Sequence, residues 1–153
     1  MFLSDTCPPK ELATAVFSFI FFENYVLLTH GENDHNHEWE IPGGHIDQGE
    51  SCEEALFREM KEETGVVPER IHCVGLARIR VPLDLINYPY PKPESYMMFY
   101  VGIVTEMHEP NELGKWVTIE EARDNSCINE HRAFFEAMYQ ESYHLRERYT
   151  SIR

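Results

Sequence analysis

The sequence predicts an α/β fold in which a mixed β-sheet is covered by helices on both faces. Three observations carry this reading. Apolar runs of strand length occur at Ala13–Phe22, Ile71–Val81 and Met97–Val104; a capped amphipathic helix, Cys52–Thr64, stands between them; and a long helical pattern follows at Asn129–Arg148. The 153 residues are read as a single domain, 1–153, large enough to bury a core without disulfides or a structural metal.

In chain order, Ala13–Phe22 reads as a buried strand, Glu23-Asn24 as a tight turn and Tyr25–Thr29 as its hairpin partner. His30–Glu38 is polar and aperiodic, which marks an exposed loop. Trp39–Ile41 is expected as a short strand leading into Pro42-Gly43-Gly44, where glycine permits close approach of a ligand. Ser51 with Glu54 is a capping box and Gly65 suits the position after a helix, so Cys52–Thr64 reads as one helix. At about 100° per residue, Leu56, Phe57 and Met60 form its apolar stripe, with Glu59, Glu62 and Glu63 on the flank and Glu54 and Lys61 toward solvent. Pro82–Pro93, with four prolines and two tyrosines, reads as a linker or a substrate-covering loop. After the strand Met97–Val104 come an acidic loop, Thr105–Lys115, and a short strand, Trp116-Val117. Thr118 opens a brief helix through Arg123 with Glu121 at a capping-box position, and Asn129–Arg148 carries Phe134, Phe135, Met138 and Tyr139 as its apolar side.

A formal net charge of −14 argues against duplex nucleic acid or long RNA as a partner, since Lys and Arg supply most of that affinity. A small phosphorylated substrate stays compatible, and RNA decapping is disfavoured on the same ground. Cys7, Cys52, Cys73 and Cys127 form neither a CxxC pair nor a metal-ligand spacing and read as reduced thiols of a cytoplasmic protein. No secretion signal and no stretch of membrane-span length is visible, so no membrane partner is expected; a homodimer is left open.

The chemistry concentrates on the central helix. Three carboxylates within one turn, Glu59, Glu62 and Glu63, repel one another unless a cation sits among them, and hard oxygen ligands ask for Mg²⁺ or Mn²⁺. Arg58, next to them, is expected to hold a neighbouring carboxylate or the loop before the helix, with direct contact to substrate as the alternative. Glu50 is expected to bind metal indirectly or to tie down that loop. Phe17 and Trp39 are read either as walls of a base pocket or as core. Tyr88 and Tyr90 either stack on a base or fill their loop, and His35-x-His37 is a metal-ligand spacing or part of a solvated loop.

Gly44 to Val66 fits G-x5-E-x7-R-E-U-x-E-E-x-G-U, where U is a bulky apolar residue, without a mismatch. This is the Nudix box, and WEIPGGHIDQGES before it and WVTIEEA after it resemble MutT-like Nudix pyrophosphohydrolases. The resemblance implies a Nudix-type α/β/α sandwich that hydrolyses, with Mg²⁺ or Mn²⁺, a diphosphate bond in a nucleoside diphosphate linked to a moiety X. A nucleoside triphosphate is the first expectation for that substrate. It further implies metal ligation by Glu59, Glu62, Glu63 and the Gly43 carbonyl, with Glu59 as general base, and an added acidic ligand from Glu106, Glu109 or Glu112, of which Glu112 is preferred. Arg58 and Glu62 complete the expected catalytic set, and His30, Trp39, Gly44 and Tyr88 the substrate contacts. His30 stands near where the MutT-like enzymes often carry a phosphate-binding arginine, and Pro82, sixteen residues after Val66, has a spacing associated with ADP-ribose pyrophosphatases. An ADP-ribose or nucleotide-sugar pyrophosphatase is therefore an alternative, and a catalytically silent nucleotide sensor another. An isopentenyl diphosphate isomerase finds no supporting cysteine motif.

Overall fold

The computed structural model describes residues 2–3, 10–30 and 38–152, with side chains described from 10–30 and 38–148. His35, His37 and most of the His30–Glu38 loop lie outside the described residues, as does Cys7.

Among the described residues, seven strands form one mixed sheet: β1 (Phe2–Leu3), β2 (Ala13–Phe22), β3 (Tyr25–Thr29), β4 (Gly43–His45), β5 (Arg70–Arg80), β6 (Glu94–Ile103) and β7 (Gly114–Thr118). The order is β1-β5-β6-β2-β3-β7, with β4 paired beside β2. The long apolar β2 is its axis. It runs parallel to β6 along Ala13–Phe21, takes β4 at Ala15–Phe17 and turns through Glu23-Asn24 into β3. Alternation along a strand sends successive side chains to opposite faces. Val16 and Ile20 accordingly join Leu56 and Met60 of the helix α1 (Cys52–Glu63), whereas Phe19 and Phe21 pack on Phe135 and Met138 of the last helix. Two cores on two faces make an α/β/α sandwich.

α1 forms where its caps place it. Ser51 accepts from the Glu54 N–H at 3.1 Å, and the Glu54 carboxylate accepts from the Ser51 N–H at 3.2 Å. Gly65, at φ +74°, supplies the left-handed residue that stops it. Its buried face is Ala55, Leu56 and Met60, whereas Phe57, expected in the apolar stripe, is 36% exposed. Phe57 sits at the edge of a face centred on Leu56 and Met60.

Other boundaries depart from the sequence reading for identifiable reasons. Trp39–Ile41 is not a strand; a single bridge joins Glu40 to Thr29, and the pairing passes to Gly43–His45. Glycine has poor strand propensity, yet a Cβ on Gly43 would lie 2.3 Å from the Val16 carbonyl, so the close approach to β2 itself excludes larger residues. β6 starts at Glu94, three residues before Met97, because pairing with β5 continues to Arg80↔Glu94. β7 spans Gly114–Thr118, wider than Trp116-Val117, since all of β3 pairs with it. The terminal helix starts at Arg132, three residues after the expected Asn129, and a separate turn precedes it. After α2 (Ile119–Arg123), the Asn125 side chain accepts from the Ile128 N–H at 3.1 Å and caps a separate turn, α3 (Ser126–Asn129), before α4 (Arg132–Ile152) begins.

Among the described residues, no helix is long and apolar enough to cross a membrane.

Candidate active site

α1 carries its carboxylates toward the glycine-rich strand β4. Glu63 accepts from the Gly43 N–H at 3.1 Å. Gly44 lies against Glu59, where a Cβ would stand 2.6 Å from the carboxylate. Gly44 thus allows β4 to press on the helix at Glu59, while Gly43 presses on β2 and offers Glu63 its N–H. The Glu59 side chain is 14% exposed, and Glu62, one turn out, is 60% exposed. Glu59 and Glu63 therefore form the inward pair and Glu62 the solvent edge.

Burial is the largest influence on Glu63, followed among the raising causes by the Glu59 and Glu40 carboxylates; the Gly43 N–H opposes them, and the outcome is a pKa pushed up to about 8. Two carboxylates pressed together in a half-buried site retain a proton between them when no cation is present. That proton stands where a positive charge is wanted.

Arg58 is the cation that the sequence itself supplies. Its guanidinium donates to both Glu50 oxygens at 2.8 and 2.9 Å, to Glu59 at 2.9 Å, to Glu62 at 3.4 Å and to the His45 carbonyl at 3.0 Å. This fork raises the Arg58 pKa, most through Glu50, and it holds the Glu50 carboxyl below the usual carboxylate range. The segment from His45 to Glu50 is thereby fastened to the helix. Among the described residues, no three His, Cys, Asp or Glu side chains converge on a single metal position. The all-oxygen donors Glu59 and Glu63 nevertheless suit a hard divalent cation, which would replace the proton on Glu63, and the exposed Glu62 has room to rotate toward it.

The remaining candidates fall around this centre at different removes. Glu112 is exposed on the loop after β6, and the contact tying that loop to α1 is made by its neighbour Asn111. The Asn111 N–H donates to the Thr64 carbonyl at 2.7 Å and its amide to the Glu62 carbonyl at 3.4 Å. Asn111 had no signal in the sequence beyond its place in an acidic loop. His30 stands edge-on to Trp39 with centroids 4.8 Å apart, and Lys115 Nζ lies 4.2 Å from the Trp39 ring centroid, so these three form one cluster beside β3 and β7. Tyr88 packs edge-on against Tyr90 at 5.5 Å, and Tyr90 stacks on His45 at 5.3 Å. The proline-rich loop is thus fastened to the strand whose carbonyl Arg58 holds.

A cavity of about 210 Å³ opens on the opposite face of β2. Phe17, Phe99, Phe134, Phe135 and Ile128 are among its apolar lining, and Glu40, Cys127 and His131 are its polar lining. Trp39 is absent from that lining and packs on the adjoining core. Glu40 connects cavity and carboxylates: its charge raises both the Glu63 carboxyl and the Cys127 thiol, the latter pushed up first by burial. Sequence reading passed over Glu40, which a bridge to Thr29 holds here.

A model of the NUDIX domain family matches residues 11–138. An RNA pyrophosphohydrolase of a Shewanella species is 32% identical over 96 residues, covering 61% of this chain and 47% of that protein, so the chain spans about half the length of the curated relatives it matches. A pyrophosphohydrolase structure from Bacillus subtilis is similar with a TM-score of 0.65 at 19% identity, over 92% of this chain and 90% of that one. The NUDIX domain of Shewanella oneidensis NrtR, complexed with ADP ribose, is similar with a TM-score of 0.61 at 19% identity, over 91% of this chain and 94% of that one. At those identities the structural likeness is one of fold.

Proposed function

The chain belongs to the Nudix family, and on that premise we propose that it is a divalent-metal-dependent pyrophosphohydrolase that cleaves within the phosphate chain of a small nucleotide. The observation that carries this is the pair Glu59 and Glu63 on α1, packed against the Gly43-Gly44 backbone with Arg58 beside them. Glu59, Glu62, Glu63 and the Gly43 carbonyl would hold Mg²⁺ or Mn²⁺, with Glu112 as an outer ligand. Such an ion, when bound, offsets the phosphate charge that repels a nucleophile and makes nearby water more acidic. Glu59 then takes the proton of the attacking water, a contribution typically worth about 10²- to 10⁴-fold. Arg58 keeps Glu59 and the Glu50 loop in register and is a positioning residue in this scheme.

Nucleoside triphosphates are the first substrate class, since the cavity beyond Glu40 offers aromatic walls for a base. A second reading, removal of pyrophosphate from an RNA 5′ end, is favoured by the name of the Shewanella relative. It needs only the first nucleotides of the RNA to enter, which an acidic chain tolerates better than a long duplex contact. The test is a panel of nucleoside triphosphates, ADP-ribose, dinucleoside polyphosphates and a 5′-triphosphorylated oligonucleotide with Mg²⁺, with products separated by chromatography. A nucleoside monophosphate, or a 5′-monophosphorylated oligonucleotide, with pyrophosphate is expected. Inorganic phosphate alone as the primary product contradicts the proposal.

A further inference from the structure

We propose that Asn111 is a positioning residue for the cation site: it caps the last turn of α1 and so sets the Glu62 and Glu63 carboxylates, a role that rests on the metal-dependent reading above. An α-helix leaves its last four carbonyls without intrahelical partners. In α1 these belong to Met60, Lys61, Glu62 and Glu63. The first two are met locally, by the Gly65 N–H at 3.0 and 3.2 Å. The other two are met from distant parts of the chain. The Asn111 side-chain amide donates to the Glu62 carbonyl at 3.4 Å, and the buried Thr29 hydroxyl to that of Glu63 at 3.1 Å. The Asn111 N–H adds a 2.7 Å bond to the Thr64 carbonyl.

Asn111 is itself fixed. Its Oδ1 accepts from the Leu113 N–H at 2.9 Å, which leaves the amide nitrogen to face the helix, and its carbonyl accepts from the Gly114 N–H at 3.1 Å. The loop lies close against the helix end: a Cβ on Gly114 would stand 3.2 Å from that of Thr64, and one on Gly65 3.5 Å from the Asn111 nitrogen. The Thr29 hydroxyl also lies 3.0 Å from the Leu113 carbonyl, so β3, the loop and the end of α1 meet at one place. Glu112 falls between Asn111 and Leu113, and the clasp therefore holds the backbone of the outer acidic candidate as well.

Glu62 and Glu63 leave the helix in its last turn, where opening costs least. Carboxylates that must be ordered when the cation arrives bind it more weakly than carboxylates already in place. Glu59, one turn earlier, lies within the hydrogen-bond ladder of the helix and is gripped by Arg58 at 2.9 Å, so it does not depend on the cap. Loss of the cap should accordingly weaken metal binding more than it slows chemistry at saturating metal.

Asn111→Ser separates the cap from the turn, because a serine hydroxyl still accepts from the Leu113 N–H but is too short to reach the Glu62 carbonyl as well. Calorimetric titration should show Mg²⁺ affinity weakened by about 10-fold. At saturating Mg²⁺, kcat and the KM for nucleotide should each stay within about threefold of the wild type. In chelator, with neither metal nor substrate, the amides of residues 60–66 should exchange with deuterium about 2- to 10-fold faster, as the loss of one hydrogen bond implies. Met138→Ala, a destabilising change on the other face, should leave Mg²⁺ affinity unchanged. Affinity within about threefold of the wild type in Asn111→Ser, an equal loss in Met138→Ala, or unaltered exchange at residues 60–66 overturns the assignment. A wild type that hydrolyses no nucleotide, yet binds Mg²⁺ and loses affinity in Asn111→Ser, removes the hydrolase reading and leaves the clasp standing. Normal turnover in the wild type beside an insensitive Asn111→Ser removes the clasp alone, and a wild type that binds no Mg²⁺ contradicts both.

Discussion

Glu63 holds a proton that a metal would displace, and this makes its behaviour with pH a test of the site. In the unfolded chain it ionises near the ordinary 4.5, and in the fold near 8. Between these values the folded chain binds one proton more than the unfolded chain, so the metal-free protein loses stability as pH rises through that window. Melting temperatures in chelator should therefore fall from pH 5 to pH 8, and Glu63→Gln should flatten the slope; an unchanged slope contradicts the account. Metal binding releases the same proton, so Mg²⁺ affinity should rise over the same range. Substitution separates the two inward carboxylates. Glu63→Gln should weaken Mg²⁺ binding and cut turnover by at least about 10²-fold, while Glu59→Gln should cut turnover as much with less change in metal affinity. Calorimetric Mg²⁺ titrations beside turnover at saturating metal read the difference. Loss of metal binding in Glu59→Gln with binding intact in Glu63→Gln reverses the assignments.

α1 and the loop before it act as one unit because Arg58 grips Glu50 with both arms and the His45 carbonyl besides. Lys keeps the charge and loses the planar fork, so Arg58→Lys should lower turnover by about 10-fold or more. Glu50→Gln releases the same loop from the other side. If the two residues work through one another, the double variant should be little worse than either single one. Multiplying losses would show that they act separately. The unit was largely legible beforehand: the capping box, Gly65 and the spacing of Arg58 from Glu50 are all local signals. β4 was not, because its pairing rests on the contact of Gly43 with Val16 and Phe17, a tertiary matter that overrides glycine's propensity. The turn α3 was missed because Asn125, which caps it, falls in the stretch between the two expected helices.

The sandwich separates stability from chemistry. Met138 is fully buried on the face covered by α4, away from α1 and outside the lining of the cavity. Met138→Ala should cost about 2–5 kcal/mol in urea unfolding and leave the Mg²⁺ titration midpoint unchanged; a shifted midpoint would mean that the two faces are coupled. Class of fold and the carboxylate helix could be read from alternation, caps and motif. What joins the faces could not: the charge of Glu40 acts on Glu63, and Asn111 bonds to Thr64, across separations in sequence that only the folded chain closes. All of this turns on a divalent cation at Glu59 and Glu63. The direct measurement is nucleotide hydrolysis by chelator-dialysed protein across a Mg²⁺ titration, with products identified at each point. Turnover should be absent in EDTA and should return with Mg²⁺ or Mn²⁺, giving nucleoside monophosphate throughout; full turnover in chelator would contradict the assignment.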